Sequence, residues 1–156
     1  MEPLDKVEAL VVHHTGPPSS ATTTPEAIRR YHVVDLGWAD VGYHFLVHRD
    51  RATGQARVSV GRPATLRGAH CHGYNRKSLG IALVGDYSHE APAPDLWALL
   101  VESLSLLVWA HGLQPADVVG HREADPFDEA RGAPRTCPGE AFDLDKLRRA
   151  VLASLT

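Results

Sequence analysis

The 156-residue chain has little that would staple it, charge it strongly or anchor it in a bilayer. Only two cysteines are present, Cys71 and Cys137, so a buried core rather than a disulfide framework must carry the fold. One bridge between them stays open on count alone. Basic residues are not in excess. The formal net charge is -3, whereas a dedicated nucleic-acid binder shows a strongly basic domain, so no nucleic-acid partner is expected. Long hydrophobic runs are missing too. The longest apolar region, 96–108, is interrupted by Glu102, Ser103 and Ser105, which argues against membrane insertion. The N-terminus, MEPLDK, lacks the basic-then-apolar pattern of a secretory signal. Internal repeats and low-complexity tracts are also lacking.

What is present is ordinary in bulk and unusual in one residue type. Hydrophobic residues make up 44% and charged residues 22%, which is enough apolar material for a core and speaks against disorder. The length suits one domain over 1–156. Histidines number ten, and histidine is the commonest metal ligand.

The pattern along the chain mixes strands and helices. Residues 9–14 (ALVVHH) form an apolar, β-branched run expected to be a buried strand, stopped by Thr15-Gly16-Pro17-Pro18. Thr24-Pro25-Glu26 is a helix start, with a hydroxyl cap, proline in the first turn and an acid at the positive end of the dipole. That helix is expected to run to Leu36 and stop at Gly37. Residues 43–48 and 55–60 form a hairpin around the turn at 51–54, residues 66–70 a short edge strand, and residues 78–84 (SLGIALV) the most buried strand. Residues 95–111 carry Leu96, Leu100, Leu104, Leu107, Val108 and His111 on one helical face, with Gly112 as a left-handed cap. Val118 and Val119 add a short strand that delivers His121 at its end. Residues 122–140 are a loop rich in Pro, Gly and charge, and a last amphipathic helix covers 143–155. The expected architecture is α/β, a mixed central sheet flanked by helices on both sides.

A catalytic zinc needs three protein ligands and an open position, and two histidines with one cysteine is a known set. His13 and His14 end a buried strand, His121 follows another apolar run, and Cys137 lies in a loop before Pro138-Gly139. Adjacent strand residues point to opposite faces, so only one of His13 and His14 enters such a site. Spacing alone does not separate this reading from polar residues satisfied at strand ends, with Cys137 a small buried hydrophobe.

Several motifs, in order along the chain, sharpen the choice. They are Val12-His13-His14-Thr15, the run 37–45 (GWADVGYHF), the run 68–75 (GAHCHGYN), the run 78–85 (SLGIALVG), Gly120-His121-Arg122-Glu123 and Cys137-Pro138-Gly139. Together they resemble the type 2 N-acetylmuramoyl-L-alanine amidases, a family that includes phage lysins and peptidoglycan recognition proteins. The resemblance spans residues 12–139. It implies that zinc is held by His13, His121 and Cys137. Cysteine in third place is similar to the lysin and recognition-protein branch, whereas cytosolic recycling amidases have aspartate there. It also implies that Tyr43 stands beside the metal and assists catalysis, where the bare sequence would make it a core tyrosine. Arg135, two residues before Cys137, stands where lysins often have lysine and recognition proteins threonine. An arginine there can act electrostatically but not as an acid or base, and a solvated loop arginine is the competing reading.

The resemblance also places His70 and Asn75 in the substrate groove. His32, on the first helix, is groove-lining or structural. Glu123 is a candidate base by proximity to His121 alone. His48, His72, His89 and His111 read as solvent or core histidines, and Cys71 as a free thiol facing away from the groove. The long 121–137 loop either leans over the cleft or is a surface insertion. The implied activity is hydrolysis of the lactyl–L-alanine amide of peptidoglycan by a monomeric, phage-type endolysin made without a signal peptide. It would reach the wall through holin-type lysis or a targeting segment absent here. A non-catalytic muropeptide-binding module and a cytosolic recycling amidase are the alternatives.

Overall fold

The structure is a computed structural model and describes residues 1–17 and 23–156. Pro18, in the proposed stop after the first strand, lies outside the described residues.

Five strands make the main sheet: β1 (Ala9–His14), β2 (Phe45–Arg49), β3 (Ala56–Val60), β4 (Ser78–Leu83) and β5 (Val118–Gly120), in the order β3-β2-β4-β1-β5. β1 runs parallel to both neighbours, β4 and β5, and β2 runs parallel to β4. Only the β2–β3 hairpin is antiparallel. The continuous apolar runs in β1 and β4 follow from this, because inner parallel strands are covered on both faces.

Alternation along β4 sends Leu79, Ile81 and Leu83 to one face and Ala82 and Val84 to the other. The first set joins Leu10 and Val12 of β1 against helix α2 (Pro94–His111) and helix α4 (Leu144–Leu155). Leu96, Leu100, Leu104 and Val108 of α2 and Leu144, Leu147 and Val151 of α4 complete that layer, all buried. Asp143 caps α4 by accepting from the Lys146 N–H at 2.9 Å, and Gly112 ends α2 with φ 64°. His111, expected on the inner face of α2, is exposed. On the opposite face of the sheet, Ile28, Val41, Leu46, Ala82 and Val84 form a smaller cluster under helix α1 (Pro25–Arg30). The expected layering, helices on both sides of a mixed sheet, is what the chain adopts.

Three local expectations are corrected. The first helix is α-helical only to Arg30 and continues as a π-turn over Tyr31–Asp35, which keeps His32 buried. Residues 66–70 are not a strand. Their one bridge is between Leu66 and Pro3, while Gly68 packs against His70 and His44, and the His70 ring lies against Gly80 of β4. The 122–140 segment is not featureless. It contains helix α3 (His121–Ala124) and a small hairpin of β6 (Phe127–Asp128) and β7 (Ala133–Pro134). Among the described residues, no helix is long and apolar enough to cross a membrane.

Candidate metal centre

β1 and β5 are lateral neighbours, with Val12 opposite Gly120. His13 and His121 come next on each chain, so sheet register alone sets their rings side by side, with centroids 4.6 Å apart. His13 is buried, on the α1 side of the sheet. His14 faces the other way and accepts from the Tyr87 N–H through Nδ1 at 3.1 Å.

The third member arrives by a staple. Arg122 donates from its guanidinium to the carbonyls of Thr136, Gly139 and Phe142, and its backbone N–H donates to the Cys137 carbonyl at 2.8 Å. This draws the 136–142 loop against the start of α3. Cys137 Sγ then lies 3.7 Å from His13 Nδ1. One ligand atom each from His13, His121 and Cys137 lies within 4.8 Å of the others. Tetrahedral coordination with bonds of ~2.0–2.3 Å places ligand atoms about 3.5 Å apart, so the donor set and its spacing fit zinc.

The electrostatics agree. Burial pushes the His13 ring well below its usual range, and burial with the Arg135 charge brings His121 to about 4. Both imidazoles are therefore neutral lone-pair donors at neutral pH. Burial pushes the Cys137 thiol up to about 12 without a metal, and Arg122 and Arg135 only partly offset it. A divalent cation is the kind of charge that displaces such a thiol proton.

Around this cluster the expected residues separate. Tyr43 stands beside it, its ring 5.1 Å from that of His13, and burial raises its phenol pKa so the hydroxyl keeps its proton. His32 packs between Trp38 and Tyr43 and accepts from the Gly42 N–H at 3.0 Å. It and Tyr43 line a cavity of about 610 Å³ with Thr15, Ala27 and Tyr31. Arg135 lines a second cavity of about 210 Å³ with His121 and Cys137. Its guanidinium is clamped by the Asp125 carbonyl and by the Asp125 and Asp128 carboxylates, the latter at 3.0 and 3.4 Å.

His70, expected in the substrate groove, is buried behind His13, with His13 Nε2 and its own Nδ1 3.0 Å apart. Asn75 uses its side-chain oxygen to accept from the His70 and Cys71 N–H groups, which makes it a turn residue. Glu123, a candidate base by proximity, has its carboxylate engaged elsewhere. Its carboxylate accepts from the Gly120 N–H and pairs with Arg148 at 2.8 Å. Cys71 is a buried free thiol, pushed up to about 12 by burial. Sequence reasoning missed Arg122. Its place in Gly120-His121-Arg122-Glu123 was visible, but three carbonyl acceptors on a distant loop leave no trace in sequence.

A mixed α/β domain that brings two histidines, at the ends of adjacent parallel strands, together with a loop cysteine defines a candidate metal site. The N-acetylmuramoyl-L-alanine amidase family profile matches residues 3–140, and the chain belongs to that family. It is similar to the endolysin of Enterobacteria phage T3, 32% identical over 148 residues that cover 93% of this chain and 87% of that one. Peptidoglycan-recognition protein LB of Drosophila melanogaster is 29% identical over 137 residues, 83% of this chain. The chain spans only 53% of that relative's length. Among solved structures, the Ph2119 endolysin from the Thermus scotoductus MAT2119 bacteriophage superposes with a TM-score of 0.74 at 29% identity. That match covers 97% of this chain and 88% of the other.

Proposed function

We propose that the chain is a zinc-dependent amidase of the phage endolysin kind, hydrolysing the amide between the lactyl group of N-acetylmuramic acid and L-alanine in peptidoglycan. The observation that carries this reading is the convergence of His13, His121 and Cys137 within 4.8 Å, with the Tyr43 ring 5.1 Å from that of His13. Zinc bound there would supply an acidified water, from pKa ~15.7 to about 7, and a Lewis acid for the scissile carbonyl.

The chain's own residues account for the rest. His13 and His121 hold lone pairs toward the centre because burial keeps them neutral. Tyr43 keeps its proton and donates a hydrogen bond to the substrate oxygen as negative charge develops on it. Arg135 adds a positive field from the wall of the smaller cavity. His32 and Tyr43 border the larger cavity, which is the place for the glycan–peptide junction.

No carboxylate joins the cluster among the described residues, since Glu123 and Asp125 are paired with arginines. Proton transfer to the leaving amine therefore falls to solvent. The test is zinc stoichiometry paired with an assay on sacculi. One zinc per chain, release of L-alanine N-termini and loss of that release on chelation are the expected results. Reducing sugar ends would mean glycosidic chemistry instead. A zinc-free protein that binds muropeptide without cleaving it would make the chain a binding module.

A further inference from the structure

His13 can bind metal through Nδ1 only if its single neutral-state proton sits on Nε2. What decides that proton can be traced by counting donors, starting from a group that can only accept. The Tyr74 carbonyl takes the Ser78 hydroxyl proton at 2.7 Å. With its one proton committed, Ser78 Oγ can only accept from His70 Nε2, 3.4 Å away. A neutral His70 with its proton on Nε2 has a lone pair on Nδ1. That nitrogen lies 3.0 Å from His13 Nε2 and must accept from it. His13 is left with a bare Nδ1 facing Cys137 Sγ at 3.7 Å.

The surroundings are built to hold His70 in this role. A Cβ at Gly68 would fall 2.5 Å from His70 Cδ2, and one at Gly80 would fall 2.5 Å from His70 Cγ. Both glycines therefore leave room for the ring. Asn75 fixes the His70 backbone N–H at 2.8 Å. The neighbouring His44 is locked separately. It accepts from the Gly80 N–H through Nδ1 and donates to the Leu66 carbonyl through Nε2. It offers no competing proton.

We infer that His70 is a positioning residue, and that the chain Tyr74 carbonyl–Ser78–His70 sets the tautomer of His13 before any metal arrives. The significance of this for zinc rests on the functional reading above; the tautomer itself does not. Nitrogen-15 NMR of the metal-free wild-type protein should find the proton on Nε2 of both His13 and His70. His70→Leu removes the acceptor and should weaken zinc binding by about 10–100-fold, whereas His70→Asn, whose amide oxygen takes the Nδ1 position, should stay within about threefold of wild type.

A proton on Nδ1 of His13 in the metal-free wild type overturns the inference. So does a leucine variant that binds zinc as tightly as wild type, or an asparagine variant as weak as the leucine one. The wild-type tautomer and the asparagine variant decide the matter even where His70→Leu does not fold. A wild-type protein that binds no zinc at all overturns the functional reading instead, and leaves the tautomer measurement readable on its own.

Discussion

At the scale of single residues, Tyr43 and Arg135 stand near the same cluster with unequal freedom to act. Tyr43 is held by the packing of His13 and His32 around its ring, and burial keeps its hydroxyl protonated. Tyr43→Phe removes one donor and nothing else. It should leave zinc content unchanged and lower kcat by about 10²–10³-fold, the cost of one oxyanion donor. Full activity in that variant would remove Tyr43 from the reaction. Arg135 has its donors committed to Asp125 and Asp128, which offset its charge. Arg135→Ala should therefore cost roughly tenfold or less in kcat/KM, about 1.4 kcal/mol. A loss as large as that of Tyr43→Phe would place its guanidinium on the substrate. The clustered residues were legible in the sequence because His13, His121 and Cys137 sit in motifs with fixed neighbours. The roles of His70, Asn75 and Arg122 were not, since each depends on which atoms a distant segment presents. His70 and Asn75 are polar groups turned inward, and a sequence motif does not distinguish a group facing a ligand from one holding its neighbour.

At the scale of elements, β4 has two duties that meet at Gly80. Its odd residues, Leu79, Ile81 and Leu83, seal the α2–α4 core, while Gly80 on the other face admits the His70 ring. Gly80→Ala would put a methyl 2.5 to 2.8 Å from three His70 atoms. Neither the central strand nor the buried ring can yield freely, so the expected cost is about 1–3 kcal/mol. Because the displaced ring is the one behind His13, zinc binding should weaken in parallel. Denaturant midpoints and zinc titrations on the same variant check both, and unchanged zinc affinity would show that His70 can move without consequence. The strands and the two long helices were readable from periodicity, since apolar spacing in β1, β4, α2 and α4 reports burial directly. The 66–70 segment misled because alternating small and polar residues look like an edge strand, when Gly68 is there for close approach to His70 and His44. The β6–β7 hairpin escaped notice because its strands are two residues each, Phe127–Asp128 and Ala133–Pro134, too short for any period.

At the scale of the whole molecule, the chain has placed several neutral imidazoles where charge is unwelcome. Burial depresses His32, His44 and His70 below 6.5, and His70 to about 3. Between those depressed values and 6.5, the unfolded chain binds more protons than the folded one. Linkage then makes stability rise with pH across that window and level off above about 6.5. The carboxylates act elsewhere on the scale. Asp95 is held at about 2 by its hydrogen bond to Arg49, so its contribution is lost only as pH falls below 3.8. Glu123, lowered from 4.5, loses its contribution as pH falls below that value, so above about 4.5 acid sensitivity belongs to the histidines. Thermal melts of the metal-free protein, with chelator present, from about pH 7.5 down to about pH 4.5 should show a flat Tm near neutrality and a steady fall below about 6.5. His44→Gln, which keeps an amide in place of the ring and removes its titration, should flatten part of that fall. A wild-type Tm that is level to about pH 4.5 would mean that these rings are solvated in the folded state, and the buried histidine array behind the metal cluster would lose its physical basis.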